Sequence, residues 1–467
     1  MAIKLYNSLG CQIQEFQPLR DKQVGLYTCG PTVYWYAHLG NLRTYVFEDI
    51  LKRVLEFNGL KVKHVMNITD VGHLTSDADQ GEDKLEKGAA RENKTVWEVA
   101  QFYTEAFIND LKALNIIMPD VLVKATDTIK EQIELIQELE KKGYTYKIED
   151  GIYFDTSKLP TYGALWPNKM ELKAGARVEM SEGKKNATDF ALWKFSPKDS
   201  KRQMEWDSPW GIGFPGWHTE CVAMAAMHLG LPFDIHCGGI DHVLIHHTNE
   251  IAQAEASSGK IPANFWLHGE FMLIKTEQSS EADKISKSKG NIILVSDISK
   301  KVLNPLAFRY LCLTTHYRSK MNFSWEALEG ANNALLSVYT KIEELQKTGL
   351  PKALSSEGQK LLEEFMADIN NDLDMPKALA LLHETLKSSL PSTEKYALLL
   401  EYDKIFGLGF GNIKTTIIPP EILAIAQERQ HARQNKDWNK SDLLRQKIEN
   451  MGWAIKDSSQ GFELHKN

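Results

Sequence analysis

The sequence predicts an α/β protein built on a Rossmann-like, doubly wound parallel sheet. A strand-like run from Val24 to Thr28 is followed by a Gly-Pro loop and by an amphipathic helix that begins near His38 to Asn41. A second strand-like run, KVKHVMNITD, comes after this helix, and the order strand, helix, strand is typical of a parallel sheet. Helix, strand, Gly-turn and helix patterns return in residues 214–250. The sheet is therefore predicted to contain two separate stretches of the chain.

Changes of pattern along the chain predict four further parts. Between the two sheet stretches, a charged helix leads into short strand-like pieces and a Lys- and Gly-rich stretch, which indicates an inserted domain. After Leu328, four segments show apolar residues spaced three and four apart, as in a helical bundle. A Pro-rich link, IIPPEIL, then introduces two helices and a strand-like end. The predicted boundaries are 1–120 and 201–272 for the catalytic domain, 121–200 for the inserted connective domain, 273–327 for a linking domain, 328–412 for the bundle and 413–467 for a small C-terminal α+β module.

Composition narrows the class of protein. A chain of 467 residues is too long for one hydrophobic core. Its net charge of −7 argues against a generally basic nucleic-acid coat, so any RNA would have to be held by local patches. Five widely spread cysteines indicate a reducing compartment, and we expect a cytoplasmic location. The sequence shows neither an apolar leader nor an apolar run of about 18 residues, so no membrane partner is expected.

Two thiols, an imidazole and a carboxylate form the most informative set of side chains. Cys29, Cys221, His246 and Glu250 would make a tetrahedral group suited to Zn²⁺. His246 and Glu250 are placed at i and i+4, so a helix there would direct both to one point. A zinc that accepts a substrate sulfur would select a thiol over a hydroxyl. One zinc per chain is therefore predicted.

Other interpretations of these residues stay open on the sequence alone. Free cysteines are commonly buried in cores, and a His four residues before a Glu is common on polar helices. His236, Cys237, His242 and His247 are also nearby and would complete other ligand combinations.

Two short motifs are suited to phosphate. HLGN, His38 to Asn41, lies where the first strand passes into the first helix, and a helix N-terminus attracts anions. A His at this place is also a common helix cap. KISKSKGN, Lys284 to Asn291, places two lysines three residues apart among serines in a polar loop, which would close cations over a polyphosphate. A solvated basic surface loop is the alternative.

Two Gly-rich stretches differ in how well they support a nucleotide-binding site. HCGGIDH, His236 to His242, follows a strand-like run, so its glycines would lie at the carboxyl end of a strand, where doubly wound folds bind nucleotides. Asp241 would then hold ribose hydroxyls or an amino group, unless the stretch is a plain Gly turn. GIGFPG, Gly211 to Gly216, matches a dinucleotide pattern only formally, because no β-branched strand precedes it.

Taken together, HLGN and KISKS around a Rossmann-like sheet resemble the HIGH and KMSKS signatures of class I aminoacyl-tRNA synthetases. YTCGPTVY, GWHTEC and HHTNEIAQ look specifically like the cysteinyl-tRNA synthetase family, and the resemblance covers nearly the whole chain. Two positions depart from the family pattern. Asn41 replaces the last His of HIGH, and Cys237 stands where the family tends to have glycine.

This resemblance implies a reaction and its residues. ATP and cysteine would form cysteinyl-adenylate, with Mg²⁺ on the pyrophosphate oxygens, and the cysteinyl group would pass to the 3′ end of tRNA(Cys). Zinc would hold the substrate sulfur as a thiolate. The resemblance assigns catalysis to His38, Asn41, Lys284 and Lys287, ATP binding to these residues with Gly40, Asp241 and Ser286, the amino-acid pocket to Thr69 and Trp217, and zinc to Cys29, Cys221, His246 and Glu250.

The C-terminal module is similar to the anticodon-reading end of that family, and its basic and aromatic residues would contact phosphates and stack on unpaired bases. The spacing would equally suit a solvated helix face with the tryptophans as a small core. A monomer is expected. The residues expected to bind tRNA are Arg429, Arg433, Lys436, Trp438, Lys440, Arg445 and Trp453.

Two alternative functions are considered. A cysteine ligase acting on an amino sugar, as in mycothiol synthesis, would share the activation half, but it would lack the module at residues 424–457. A non-enzymatic, zinc-stabilised RNA-binding protein would leave the HLGN and KISKS pair unexplained.

Overall fold

A computed structural model gives the fold. The residues that it describes are 2–72, 83–166, 183–197, 202–274, 283–284, 292–301, 303–413, 419–458 and 461–466.

The first part of the chain supplies three of the strands of a parallel sheet. The helix of HLGN begins where predicted, because the side chain of His38 caps it, and the helix that follows residue 95 starts with a Thr95–Glu98 capping box. The elements are β1 (Lys4–Asn7), β2 (Gln12–Glu15), β3 (Gln23–Thr28), α1 (Leu39–Phe57), β4 (Lys61–Ile68), α2 (Lys84–Glu92), α3 (Val96–Ala113) and β5 (Val121–Lys124).

An antiparallel sheet forms the insertion. It has the order β6-β7-β8-β9 and packs against the charged helix that the sequence predicts. Strand β9 contains the glycine and proline of the GIGFPG stretch, which therefore is not a phosphate turn. The elements are α4 (Ile129–Lys141), β6 (Thr145–Ile148), β7 (Gly151–Phe154), β8 (Phe190–Phe195) and β9 (Gly213–Pro215).

The parallel sheet then resumes with α5 (Trp217–Leu229), β10 (Phe233–Gly239), α6 (His246–Ser258) and β11 (Ala263–Gly269). Its strand order is β11-β10-β3-β4-β5, and every neighbouring pair is parallel. The doubly wound Rossmann-like fold is thus confirmed. The chain order changes direction between β3 and β10, so a crevice is expected at the carboxyl ends of these two strands.

The strand pairing displaces both predicted limits of the insertion. Residues 121–124, which were assigned to it, form β5 of the parallel sheet. Residues 213–215, which were assigned to the catalytic domain, form β9 of the antiparallel sheet. Both strands are short, and composition does not distinguish a buried edge strand of one sheet from that of another.

A small sheet and a helical bundle follow. The sheet has the order β13-β12-β14, and the bundle packs on α1 and α8 through one continuous apolar core. The elements are β12 (Met272–Ile274), β13 (Asp283–Lys284), α7 (Val295–Lys300), α8 (Leu306–Leu313), β14 (Met321–Phe323), α9 (Trp325–Gln346), α10 (Ser356–Ile369), α11 (Met375–Lys387) and α12 (Ser392–Phe406).

A buried ion pair joins α8, in the linking domain, to the catalytic domain. Arg309 of α8 donates to Asp49 of α1 over 2.5 Å, and both side chains are fully buried. Arg309 also donates to the carbonyl of Phe406 at the end of α12. Removing one member of such a pair is far more costly than removing an exposed pair, so this contact holds the two parts together.

The C-terminal module has a small apolar core, to which Trp453 belongs and Trp438 does not. It consists of α13 (Pro420–Gln434), α14 (Trp438–Asn450) and the hairpin of β15 (Trp453–Ser458) and β16 (Gly461–Lys466). Within the described ranges, no helix has both the length and the apolar composition needed to cross a membrane.

Candidate active site

The carboxyl ends of the parallel strands bring the four predicted ligands together. Cys29 directly follows β3, and α6, which follows β10, begins at His246 and carries Glu250 one turn further along. Cys221 lies on α5, which precedes β10. All four side chains are at least 95% buried, so the cluster lies beneath the surface of the crevice.

The donor atoms of these four side chains lie close enough together to share one metal ion. All lie within 4.8 Å of one another. The separations are 3.5 Å from Cys221 Sγ to His246 Nε2, 2.8 Å from His246 Nε2 to Glu250 Oε1 and 3.9 Å from Cys29 Sγ to Glu250 Oε1. A zinc with ordinary bond lengths places sulfur and nitrogen ligands about 3.6 Å apart. The donor set, with two thiols, an imidazole and a carboxylate, therefore suits zinc in chemistry and in the spacing of its sulfurs, while His246 Nε2 and Glu250 Oε1 lie at a hydrogen-bond distance from each other.

Two further histidines, His218 and His236, orient His246 and Glu250 by hydrogen bonds to the atoms that do not face the other ligands. His218 Nδ1 shares a hydrogen bond of 2.9 Å with His246 Nδ1, which leaves Nε2 of His246 facing the thiols. His236 Nε2 lies 2.6 Å from Glu250 Oε2, which leaves Oε1 facing His246. Such partners fix the ring orientation and raise the ligand's basicity at metal sites. The sequence offered one signal for His218: it stands three residues before Cys221 on the same helix, so both share a face.

Burial and neighbouring charges oppose each other at these groups. Burial alone would raise the pKa of Glu250, but His236 and His246 outweigh it and hold this pKa well below its usual range. Burial lowers the pKa of His246, yet Glu250 and Cys221 outweigh it and raise this pKa to about 10. Burial raises the pKa of Cys29 well above its ordinary value, whereas a hydrogen bond from that thiol lowers the pKa of Cys221 to about 7. Cys221 is therefore the more readily ionised thiol.

A second combination of ligands also occurs in the described part of the chain. Cys29, His236, His247 and Glu250 lie within 4.8 Å of one another. This set needs His236, whose Nε2 already holds the outer oxygen of Glu250. The predicted set uses no residue that is needed to orient another ligand, so we favour it.

Cys237 and His242, which the sequence left open as ligands, belong to neither set. Successive side chains of a strand point to opposite faces, so His236 faces the cluster while Cys237 packs into the main core on the other side of the sheet. The extra thiol therefore lies on the opposite face of the sheet from the predicted ligands.

The residues predicted for the amino-acid pocket adjoin this cluster. The half-buried ring of Trp217 stacks on His246 with ring centres 4.2 Å apart. Thr69 donates from its hydroxyl to Glu220 Oε2 over 3.1 Å and accepts from Asn67 Nδ2 over 3.0 Å. Glu220 was not predicted, although it is the fully buried acid of GWHTEC. Its carboxylate fixes the orientation of the Thr69 hydroxyl.

The HLGN motif forms a helix cap. His38 Nδ1 accepts from the backbone N–H of Asn41 over 3.2 Å, and Asn41 Oδ1 accepts from the backbone N–H of His38 over 3.3 Å. This capping box ties up the amide oxygen of Asn41 and one ring nitrogen of His38. The Asn41 side chain is exposed and still has Nδ2 as a donor, so the cap and a phosphate contact are compatible.

The structure describes only some of the other residues predicted to bind ATP. Asp283 and Lys284 form β13, but the Lys284 side chain, Ser286 and Lys287 lie outside the described residues. Asp241 is exposed in the turn that follows β10, at the crevice.

The glycines before Asp241 are required by close packing. A Cβ on Gly238 would lie 2.6 Å from the ring of His242 and 2.8 Å from that of His247. The Gly stretch is therefore more than a plain turn, because it lets histidine rings approach the strand.

Two of the predicted RNA contacts are wrong. Arg429 is 1% exposed and donates to both oxygens of Asp457, over 2.7 and 3.1 Å. Trp453 is 4% exposed and belongs to the apolar core of the module. Both residues therefore stabilise the module. For Trp453, this confirms the alternative interpretation, a small apolar core.

The remaining predicted residues lie at or near the surface. Trp438 is 54% exposed, and Arg433 lies over its ring at 5.5 Å. Lys440 pairs with Glu428 over 2.8 Å, and Arg445 reaches Asp457 over 3.4 Å. Lys436 is exposed. The surface of the module thus presents an exposed aromatic ring beside partly neutralised cations, the composition of surfaces that stack on unpaired bases.

Solved structures share this fold. Mycobacterium tuberculosis methionyl-tRNA synthetase in complex with methionyl-adenylate superposes with a TM-score of 0.58 at 14% identity, covering 84% of this chain and 93% of that one. At this identity the likeness concerns the fold alone, which is that of class I synthetases. The family model for the catalytic domain of class I (C) tRNA synthetases matches residues 15–333.

Full-length relatives specify the family further. A cysteine–tRNA ligase 1 of Burkholderia lata is 47% identical over 99% of this chain and 97% of its own length. A cysteine–tRNA ligase of Treponema denticola is 42% identical over 98% of both chains. The chain belongs to the cysteine–tRNA ligase family of class I aminoacyl-tRNA synthetases.

Replacing Arg429 with alanine is expected to destabilise the C-terminal module, because Asp457 would lose its buried partner. Breaking a buried pair costs about 3–5 kcal/mol, and the partial exposure of Asp457 reduces this to about 1–3 kcal/mol. Hydrogen exchange of α13 and β15 measures the loss. Lys436→Ala, at an exposed position of the same module, is the control and should change little. Equal protection in the two variants would contradict the structural role of Arg429.

Proposed function

We propose that this chain activates cysteine with ATP to form cysteinyl-adenylate and pyrophosphate, and then transfers the cysteinyl group to the 3′ end of tRNA(Cys). One observation supports this most directly. A buried set of two thiols, an imidazole and a carboxylate lies at the carboxyl ends of the parallel strands, in a chain of the cysteine–tRNA ligase family. A cytoplasmic location and a monomeric state stay predictions.

Activation requires positioning and charge neutralisation more than covalent catalysis. We assign the ATP phosphates to His38 and Asn41 at the N-terminus of α1, where the helix dipole assists, with Gly40 allowing close approach. Lys284, Ser286 and Lys287 would close over the same phosphates, and Mg²⁺ would accompany the pyrophosphate oxygens. Asp241, at the end of β10, would hold the ribose.

Cysteine selection is assigned to zinc on Cys29, Cys221, His246 and Glu250. When bound there, the metal supplies a Lewis acid that favours a substrate thiolate over a hydroxyl. Trp217 covers His246 and excludes water from one side of the ligands. Thr69, oriented by Glu220, offers a hydroxyl to the amino-acid pocket. Since discrimination occurs at binding, a separate hydrolytic editing domain is not required.

RNA capture is assigned to the exposed side chains of the module, namely Arg433, Lys436, Trp438, Lys440 and Arg445. The match to cysteine–tRNA ligases covers 99% of this chain, and so includes this module. That coverage favours a tRNA substrate over an amino sugar, and the paired HLGN and KISKS motifs favour an enzyme over a passive RNA-binding protein.

The activation step is tested by amino-acid-dependent ATP–pyrophosphate exchange. Cysteine should support exchange, and serine should be slower by about 10⁴-fold or more, because a site built around a specific ligand group rejects an analogue that lacks it. The other standard amino acids serve as controls. Comparable rates with cysteine and serine would contradict selection through the thiol.

Metal content tests the ligand assignment. The purified chain should contain one zinc, and Cys221→Ala should lose most of it. Cys237→Ala is the matched control, because Cys237 is equally buried but packs on the opposite face of the sheet. Elemental analysis after exhaustive dialysis measures both variants. Zinc retained by Cys221→Ala, or lost from both variants alike, would refute the assignment.

Removal of residues 414–467 tests the role of the module. Cysteine-dependent exchange should remain, because the module has an apolar core of its own and the predicted zinc and phosphate residues precede it. Charging of tRNA should fall steeply. In the full chain, Trp438→Ala should weaken tRNA binding by about 1–3 kcal/mol, the usual contribution of one stacked base. Unchanged charging by the truncated chain would show that the exposed cations are only a solvated face.

A further inference from the structure

A short segment, residues 316–323, contacts three parts of the protein: α1, the helical bundle and the small sheet that contains β13. Its first contact is with α1, the helix that HLGN begins. Arg43 of α1 is 4% exposed and donates to the carbonyls of His316 and Ser319, over 3.3 and 2.5 Å. The ring of Tyr317 stacks on Phe47, one turn further along α1, with ring centres 4.7 Å apart and planes 7° apart. The segment is thus packed directly against the HLGN helix.

Its second contact is with the helical bundle. Asp372 lies between α10 and α11 and is 2% exposed. It accepts from the hydroxyl of Tyr317 over 2.7 Å and from Arg318 Nε over 2.7 Å, and its backbone carbonyl lies 2.9 Å from His316 Nε2. Three consecutive side chains of the segment therefore converge on one residue of the bundle.

Its third contact is with β12, the neighbour of the strand that leads into KISKS. The segment ends in β14, which pairs with β12, and β12 pairs with β13 at Asp283 and Lys284. Beyond the KISKS residues, the carbonyl of Ile293 accepts from the backbone N–H of Leu39, the first residue of α1, over 2.8 Å. Both flanks of KISKS are therefore fixed to elements that the segment touches.

We propose that Tyr317 and Asp372 are positioning residues for ATP binding: through segment 316–323, the bundle holds the HLGN helix and the KISKS strand in register with each other. This inference rests on the proposed function for the identity of the nucleotide. The two signatures lie on separate elements, so their spacing depends on the packing between them. A charged acceptor that collects several donors is well suited to fix that packing.

Tyr317→Phe is the most selective test. It removes the hydroxyl that reaches Asp372 and keeps the ring that stacks on Phe47, so the apolar core stays filled. Coupling through packed networks typically changes affinities by about 2- to 30-fold. The KM for ATP in pyrophosphate exchange should rise within that range, while the KM for cysteine stays unchanged, because the predicted zinc ligands lie on other elements.

Tyr310→Phe is the matched control. Its hydroxyl also reaches the bundle, at His383 Nε2 over 2.8 Å, but from α8 and not from the segment. The two variants should have similar thermal midpoints, and only Tyr317→Phe should raise the KM for ATP. Equal effects of the two variants on ATP, or a parallel rise of both KM values in Tyr317→Phe, would reduce Tyr317 to a stabilising residue and overturn the inference.

A double-mutant cycle with Asp372→Ala, which removes the oxygen that accepts from Tyr317, tests whether the two residues act through one contact. The combined variant should weaken ATP binding little more than the stronger single variant does. Calorimetric binding of a non-hydrolysable ATP analogue provides this measurement without catalysis. Fully additive effects would overturn the inference. Absence of cysteine-dependent exchange in the unaltered chain would instead count against the proposed function, and the analogue measurement would still decide the role of Tyr317.

Discussion

The active site is arranged around one buried negative charge, the carboxylate of Glu250. A carboxylate that is 2% exposed is costly unless its neighbours compensate it, and here each oxygen faces an imidazole. Two thiols stand beside the same group, and their ionisation would add further negative charge. A divalent cation is the simplest balance for such a set. His236 and His246 supply the part of this balance that the protein itself provides, and the two rings also fix the orientation of the carboxylate.

Much of this arrangement could be predicted because it depends on short-range patterns. The i, i+4 spacing of His246 and Glu250 needs only a helix, and α6 begins at His246. The position of Cys29 needs only the rule that parallel strands present their carboxyl ends at one edge. The sheet itself was predictable from alternating strand and helix patterns. Cys221 was harder, since its arrival at the cluster depends on how α5 packs after the insertion.

The features that were missed depend on long-range packing. His218 and His236 support the ligands from two different elements, and no local spacing relates both to Glu250. The edges of the insertion were misplaced because β5 and β9 are defined by their partners in the sheets and not by composition. The same holds for Arg429. Its place in a basic helix suggests a surface cation, but Arg429 is buried and pairs with the partly exposed Asp457 of β15, and this pairing outweighs the ordinary preference of arginine for water.

In the HLGN motif, Asn41 replaces the last His of the family pattern, and the fold uses this asparagine as part of a helix cap. With Asn41 in the last position, the amide oxygen completes the capping box of α1 while Nδ2 remains available as a donor, so the helix start is stabilised without a titratable group. A neutral amide supplies less attraction to phosphate than a cation does. Under the proposed function, the ATP site would then depend more on the helix dipole and on accurate placement of the KISKS lysines. That placement is a matter of how α1, the small sheet and the bundle pack together, which is why Arg43 and Asp372, remote from any ligand-like motif, are buried and saturated with hydrogen bonds.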